Sequence, residues 1–285
     1  MFARLLRLEC RAMGRILLPL MGAVLAFSGL AMLAVHLAGP DSYLVSGGPL
    51  ETGPAVHGPI LHAIVKLLVL GVFLSMLALM IASVVVTLQR FYQNLLGDEG
   101  YLMLALPASP AEHLAAKLTA SVVWTAAALV LVLALVLALV ASIPVVLRDG
   151  GTPLTQLLAA LHQGIPVPLW QWYGCGALLW LVGLGHTYLM MYLSITIGTQ
   201  RTTGRLGASI GVYVALQLLV NALMGAGAWL AGVLALECGF APLAGLGAAG
   251  QFFAAAGGTV ALLGLGSLAW FFAARWMLGH RVNLL

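Results

Sequence analysis

Four side chains that form hydrogen bonds interrupt otherwise apolar stretches of this sequence: His186, Gln217, Asn221 and Gln251. Gln217 and Asn221 are four residues apart, so on a helix they lie on one face, one turn from each other. Amides in an apolar setting either bond neighbouring helices together or bind the polar group of another molecule. We therefore keep two interpretations for these four residues, contacts between helices and the lining of a cargo path.

Residues for enzymatic chemistry do not converge anywhere in the sequence. The phosphate-binding pattern G-x-x-x-x-G-K-[ST] does not occur, which predicts that the chain itself does not bind ATP. The seven histidines are scattered, and the three cysteines form no C-x-x-C pair, so no metal site is predicted. We expect no catalytic residue, cofactor or metal in this chain.

The composition predicts a membrane protein. Of the 285 residues, 62% are hydrophobic and 7% are charged, whereas a soluble domain has about 25% charged residues. Because this small number of charged residues cannot cover a water-facing surface, most of the surface must face lipid. The net charge of +4 rests on 12 Lys and Arg residues that occur in ones and twos, so nucleic-acid binding is not predicted.

Six apolar segments are long enough to cross the hydrocarbon core as helices. If these six segments cross the membrane, all of the 12 Lys and Arg residues except Lys66 and Arg148 lie on the same side. The positive-inside rule predicts that this side, which also holds both termini, is cytoplasmic. The prediction is an all-α polytopic protein, a single transmembrane domain over 1–285, with spans at 16–38, 60–88, 118–143, 170–197, 206–236 and 251–277. The spans contain no Asp or Glu, which argues against coupling to protons or sodium.

The N-terminal segment, residues 1–15, places Arg4, Arg7, Arg11 and Arg15 at helical spacing beside leucines. This pattern predicts a basic amphipathic helix on the inner leaflet. The apolar run that follows exceeds the length of a signal-peptide core, so we expect an uncleaved first span.

On the predicted outer side lie Cys175 and Cys238. Two interpretations stay open for them, a disulfide or two inert thiols.

Residues 89–117 connect the second and third spans on the predicted cytoplasmic side. Gly97 is a typical helix stop, and Asp98 and Glu99 follow where a new helix would begin, because acidic side chains stabilise a helix N-terminus. The apolar run at 101–106 completes a predicted short helix.

The third-span helix is predicted to begin at Ser109, well outside the hydrocarbon core. Ser-Pro-Ala-Glu at 109–112 has the spacing of a capping box, with proline at the first helical position. A short apolar segment therefore lies between two helices that extend into the cytoplasm. It either lies flat in the lipid interface or docks into a groove on a partner protein.

Two stretches carry a family resemblance. The run RFYQNLLGDEGYL at 90–102, continued by Leu-Pro at 106–107 and Lys-Leu at 117–118, resembles permease subunits of bacterial ATP-binding-cassette (ABC) transporters of the type-two permease class. YLSITIG at 192–198 is a second, shorter match. The chain has Leu-Ala at 104–105 where the class has Phe-Thr.

This resemblance implies the membrane-spanning subunit of an ATP-driven exporter in the bacterial cytoplasmic membrane. ATP and Mg²⁺ would bind in a separate ABC ATPase subunit, and a second permease subunit, identical or different, would complete the assembly. Residues 1–15 would be the elbow helix of the class. The implied ATPase-docking residues are Gly97, Asp98, Glu99, Gly100, Tyr101, Leu102, Met103 and Leu104.

Gly207 and Gly211 form a G-x-x-x-G step that predicts close helix contact, within the subunit or across a dimer. Two alternative functions are kept, a non-transporting scaffold or sensor subunit that docks an ATPase, and a membrane enzyme acting on lipid. Peptide, drug, lipid and glycan cargoes are all compatible with the sequence.

Overall fold

The computed structural model describes residues 2–38, 59–96, 109–142, 167–201, 204–237 and 245–280. Within these ranges the chain is helical and contains no strand. The helices are α1 (Phe2–Ala38), α2 (Pro59–Leu96), α3 (Pro110–Ser142), α4 (Leu169–Gly198), α5 (Arg205–Glu237) and α6 (Ala248–His280). Each of these six is long and apolar enough to cross a membrane, which confirms the predicted all-α fold of a multi-pass membrane protein.

Several helices extend beyond the predicted spans. α1 continues through residues 2–15 without a break, so the predicted amphipathic segment and the first span form one helix. α2 has 38 residues, which corresponds to about 57 Å at the rise of an α-helix. Because the hydrocarbon core is about 30 Å thick, part of α2 must lie outside that core unless the helix tilts strongly.

Several hydroxyl side chains inside the helices donate to the backbone of their own helix. Thr119 Oγ1 donates to the Ala115 carbonyl at 2.8 Å, and Thr196 Oγ1 donates to the Tyr192 carbonyl at 2.8 Å. Such bonds to a carbonyl one turn earlier allow Ser and Thr within apolar helices without an unpaired polar group.

The contacts divide the chain into two compact units. Unit 2 comprises Arg11–Val86 and Val123–Gly164. Its core is aliphatic and is formed by α1, α2 and α3, with Val24, Ala31, Val72, Met76, Leu79 and Ala128 among its buried members. Gly71 allows α2 to approach α1, because a Cβ at this position would lie 3.0 Å from the ring of Phe27.

Unit 1 comprises Met1–Cys10, Thr87–Val122 and Ile165–Leu285. Within it α4 packs against both α5 and α6. Its core has more aromatic side chains, with Phe91, Leu114, Tyr188, Tyr192 and Ala274 among its buried members. The second half of α4 supplies most of the buried residues of that helix.

The end of α4 approaches the start of α5 very closely in unit 1. A Cβ at Gly198 would lie 2.6 Å from the Cα of Ser209, so only glycine fits this contact. The chain enters α5 through Gly204, whose φ of 68° is in the left-handed region that favours glycine.

Candidate functional site

The predicted docking residues, Gly97 to Leu104, lie outside the described residues, as does the rest of the segment 97–108. The structure describes the two helix ends that flank this segment, α2 as far as Leu96 and α3 from Pro110. The candidate site is therefore the set of side chains that hold those two helix ends in place.

The start of α3 has the predicted capping box. The backbone N–H of Ser109 donates to Oε2 of Glu112 at 3.0 Å, and the backbone N–H of Glu112 donates to Oγ of Ser109 at 3.3 Å. Pro110 is the first helical residue, where its missing N–H costs nothing. The predicted helix start is therefore confirmed.

Tyr192 on α4 connects the two flanking helices to each other. Phe91, near the end of α2, stacks on the Tyr192 ring with a centroid distance of 4.0 Å and an interplanar angle of 8°. The Tyr192 hydroxyl lies 2.6 Å from Oγ of Ser121 on α3. All three residues are at most 1% exposed. We call these three residues the Tyr192 junction.

A buried ion pair lies one turn from this junction on α3. Lys117 Nζ donates to Oε1 of Glu9 on α1 at 2.6 Å, and their side chains are only 3% and 7% exposed. Ser121 Oγ donates to the Lys117 carbonyl at 2.7 Å, so the Tyr192 hydroxyl is the donor to Ser121. The ion pair therefore joins α1 to the same network as α2, α3 and α4.

Our sequence reasoning did not find this ion pair. In the sequence, Lys117 is a basic residue of the predicted cytoplasmic connection, and no role is predicted for Glu9. The available signal was an acidic residue alone among the arginines of the N-terminal segment. A lone carboxylate of that kind often has a specific cationic partner when it is buried.

A second site is a groove of about 460 Å³ between α4, α5 and α6 of unit 1. Its polar lining residues are His186, Thr187, Gln217 and Asn221, and its apolar walls include Trp180 and Met224. The described residues that line it include no Asp, Glu, Lys or Arg. The structure thus brings three of the four predicted polar residues to one place.

Hydrogen bonds from His186 join α4 to α6. Its Nδ1 lies 3.3 Å from the Leu263 carbonyl oxygen and 3.4 Å from the Ser267 hydroxyl. Trp270 Nε1 donates to His186 Nε2 at 3.4 Å. These bonds are long, but they engage both ring nitrogens with α6. A Cβ at Gly266 would lie 2.8 Å from the imidazole, so a glycine allows this approach.

The two α5 amides bond to each other, with Gln217 Nε2 donating to Asn221 Oδ1 at 3.3 Å. Gln251, the fourth predicted residue, does not line the groove. Its Nε2 donates to the Leu246 carbonyl near the start of α6, at 3.1 Å. The structure therefore separates Gln251 from the other three.

The G-x-x-x-G step on α5 has an exposed face. A Cβ at Gly207 or Gly211 would meet no described atom within 4 Å. No described residue of this chain therefore packs against the two glycines, and the close approach of α5 to α4 occurs at Gly198 and Ser209 instead.

Within the described ranges, no group of three or more His, Cys, Asp or Glu residues is placed to hold a metal ion. Cys175 forms no disulfide with a described residue, and Cys238 lies outside the described residues.

Comparison with known proteins gives no match for this chain among family models, curated proteins or solved structures.

Proposed function

We propose that this multi-pass membrane protein is the permease subunit of a bacterial ABC exporter in the cytoplasmic membrane. A separate ATPase subunit would bind ATP and Mg²⁺ and would dock on residues 97–104. The proposal is supported by six apolar helices, by the distribution of Lys and Arg, and by the motif at 90–102. A second permease subunit, identical or different, completes the proposed assembly.

The observation that carries this proposal is the way both helices flanking the docking segment are held by α4. Phe91 of α2 stacks on Tyr192, and Ser121 of α3 bonds to the same residue. A force applied to residues 97–108 therefore reaches one buried side chain of α4 from two directions.

From Tyr192 the force has a direct path to the groove. Tyr192 and His186 are six residues apart on the same helix, which is about 9 Å at the rise of an α-helix. The proposed mechanism is a rigid-body movement of α4 that follows closure of the ATPase and changes the packing around the groove.

The test is co-purification with an ABC ATPase subunit that is co-expressed with this chain. Charge substitutions Leu102→Glu and Leu104→Glu should abolish co-purification and leave membrane insertion intact. The matched control is Leu206→Glu, a highly exposed leucine at the start of α5, which should co-purify normally. Undiminished binding by both docking variants would show that this segment does not receive the ATPase.

A scaffold or sensor subunit would bind the ATPase as well, so a second measurement is needed. Reconstituted complexes should move cargo across vesicle membranes in an ATP-dependent way. Modulation of ATP hydrolysis without movement of any cargo would favour the scaffold and contradict the exporter.

A further inference from the structure

The amide pair in the groove has hydrogen-bonding capacity that the chain does not use. One amide N–H of Gln217 bonds to the carbonyl oxygen of Asn221. The Asn221 NH₂ group, the Gln217 carbonyl oxygen and the second Gln217 N–H make no bond to the described residues. Together they offer several donors and one acceptor within one turn of α5.

These groups lie within an apolar membrane helix, beside the exposed side chains of Leu218 and Leu223. An amide that faces hydrocarbon without a partner is costly. The groove offers a way to satisfy it, because its volume of about 460 Å³ falls within the range of small-molecule pockets. Its apolar walls, with Trp180 and Met224, suit the apolar body of such a molecule.

The lining of the groove also disfavours charged ligands. The described lining residues include no Asp, Glu, Lys or Arg, and both ring nitrogens of His186 are engaged with α6. A carboxylate, phosphate or ammonium group in this groove would therefore be left without a counter-charge, which is strongly unfavourable away from water. A hydroxyl group fits, since it can donate to the Gln217 carbonyl and accept from the Asn221 amide.

We propose that the groove between α4, α5 and α6 binds an amphiphile with an uncharged, hydroxyl-bearing head group and an apolar body. The inference rests on the proposed function, because it names the class of cargo that the exporter carries. The head group bonds to Gln217 and Asn221, and the body lies against Trp180 and Met224.

The experiment uses three photoactivatable probes with the same diazirine-bearing acyl or alkyl chain: a monoacylglycerol, a fatty acid and an alkylamine. The purified permease, in phosphatidylcholine nanodiscs, is labelled with each probe, and the labelled peptides are identified by mass spectrometry. The monoacylglycerol should label the α4 and α5 peptides that line the groove. The two charged probes should label these peptides about tenfold less.

Variants test the assigned contacts. Gln217→Leu and Asn221→Leu should each reduce labelling by the monoacylglycerol about fivefold, as expected for the loss of one or two hydrogen bonds. Both replace a polar group with an apolar one on a partly exposed surface, so folding should be retained. Gln251→Leu is the matched control, since it removes an amide that does not line the groove, and it should label normally.

A filling variant gives an independent check. Gly183 lines the groove, and a Cβ there would make only an ordinary contact, 4.0 Å from Leu263. Gly183→Leu should therefore extend its side chain into the groove, and near-UV circular dichroism checks that the variant is folded. It should reduce labelling as strongly as the amide variants.

Equal labelling of the groove peptides by all three probes would overturn the inference, as would undiminished labelling of folded Gln217→Leu and Asn221→Leu. These measurements need no ATPase. Selective labelling of a permease that fails to co-purify with the ATPase would support the groove and contradict the exporter. Normal co-purification with unselective labelling would contradict the groove alone.

Discussion

Removal of one member of the buried Glu9–Lys117 ion pair should destabilise the protein far more than removal of both. The variants are Glu9→Leu, Lys117→Met and the double substitution, which replace each charged side chain by an apolar one of similar size. Each single variant leaves the opposite charge buried with its ionic partner removed. The double variant leaves an apolar contact between α1 and α3.

The structure sets the size of the effect. At the 2.6 Å separation of Lys117 Nζ and Glu9 Oε1, the attraction is about 6 kcal/mol at an effective dielectric constant of 20. Desolvation of the two ions, which costs several kcal/mol each, offsets most of this attraction. The second carboxylate oxygen of Glu9 has no hydrogen-bond partner in the described part of the chain, which further lowers the net contribution of the pair.

We therefore expect each single variant to lower the free energy of unfolding by about 3–5 kcal/mol, and the double variant to stay within about 1 kcal/mol of the parent or to exceed it. The assay is reversible unfolding in SDS, followed by near-UV circular dichroism. Lys66→Met is the matched control, because Lys66 is exposed, and it should change the free energy by less than about 1 kcal/mol.

Additive effects in this double-mutant cycle would refute the reasoning, since additivity means that the two side chains do not interact. Single variants that cost less than about 1 kcal/mol would do the same, because a buried charge without its partner cannot be that inexpensive.

Three further predictions concern single positions. Tyr192→Phe keeps the ring stack but removes the hydroxyl bond to α3, so it should cost about 0.5–1.5 kcal/mol in the same SDS assay. In the proposed complex it should also lower stimulation of the ATPase by cargo. Gly198→Val should lower the free energy of unfolding by about 1–3 kcal/mol or more, because its Cβ would overlap Ser209. Gly185→Ala is the control and should be neutral or stabilising, because no atom lies within 4 Å of a Cβ at that position. Equal stabilities of the two variants would contradict the close contact at Gly198. Gly211→Leu should leave monomer stability unchanged and weaken dimer cross-linking, and an unchanged dimer would mean that this face of α5 is not an interface.

The sequence predicts the secondary structure well because lipid leaves the chain few choices. A backbone in hydrocarbon must satisfy its own hydrogen bonds, so long apolar runs become helices. All six predicted spans lie within or largely within observed helices. The start of α3 was predictable for a different reason, since the bonds between Ser109 and Glu112 link residues three apart.

Contacts between distant residues were not predictable in the same way. Glu9 and Lys117 are 108 residues apart, and Ser121 and Tyr192 are 71 apart. In lipid, apolar faces that pack and apolar faces that meet acyl chains have nearly the same composition. Periodicity therefore does not show which face is buried. Within this chain the close contact of α5 is at Gly198 and Ser209 and not at Gly207 or Gly211, so of the two predicted contacts for the G-x-x-x-G step the one across a dimer stays a prediction.

The sequence by itself predicts an all-α multi-pass membrane protein, and the described part of the chain contains six helices long and apolar enough to cross a membrane, because a backbone in hydrocarbon must satisfy its own hydrogen bonds. Tertiary structure alone decides that α1 meets α3 through an ion pair and that α2 and α3 both meet α4 at a tyrosine. It also decides that two amides and a histidine share one groove. These arrangements depend on which side chains fit together across helices, and that fit exists only once the helices have packed.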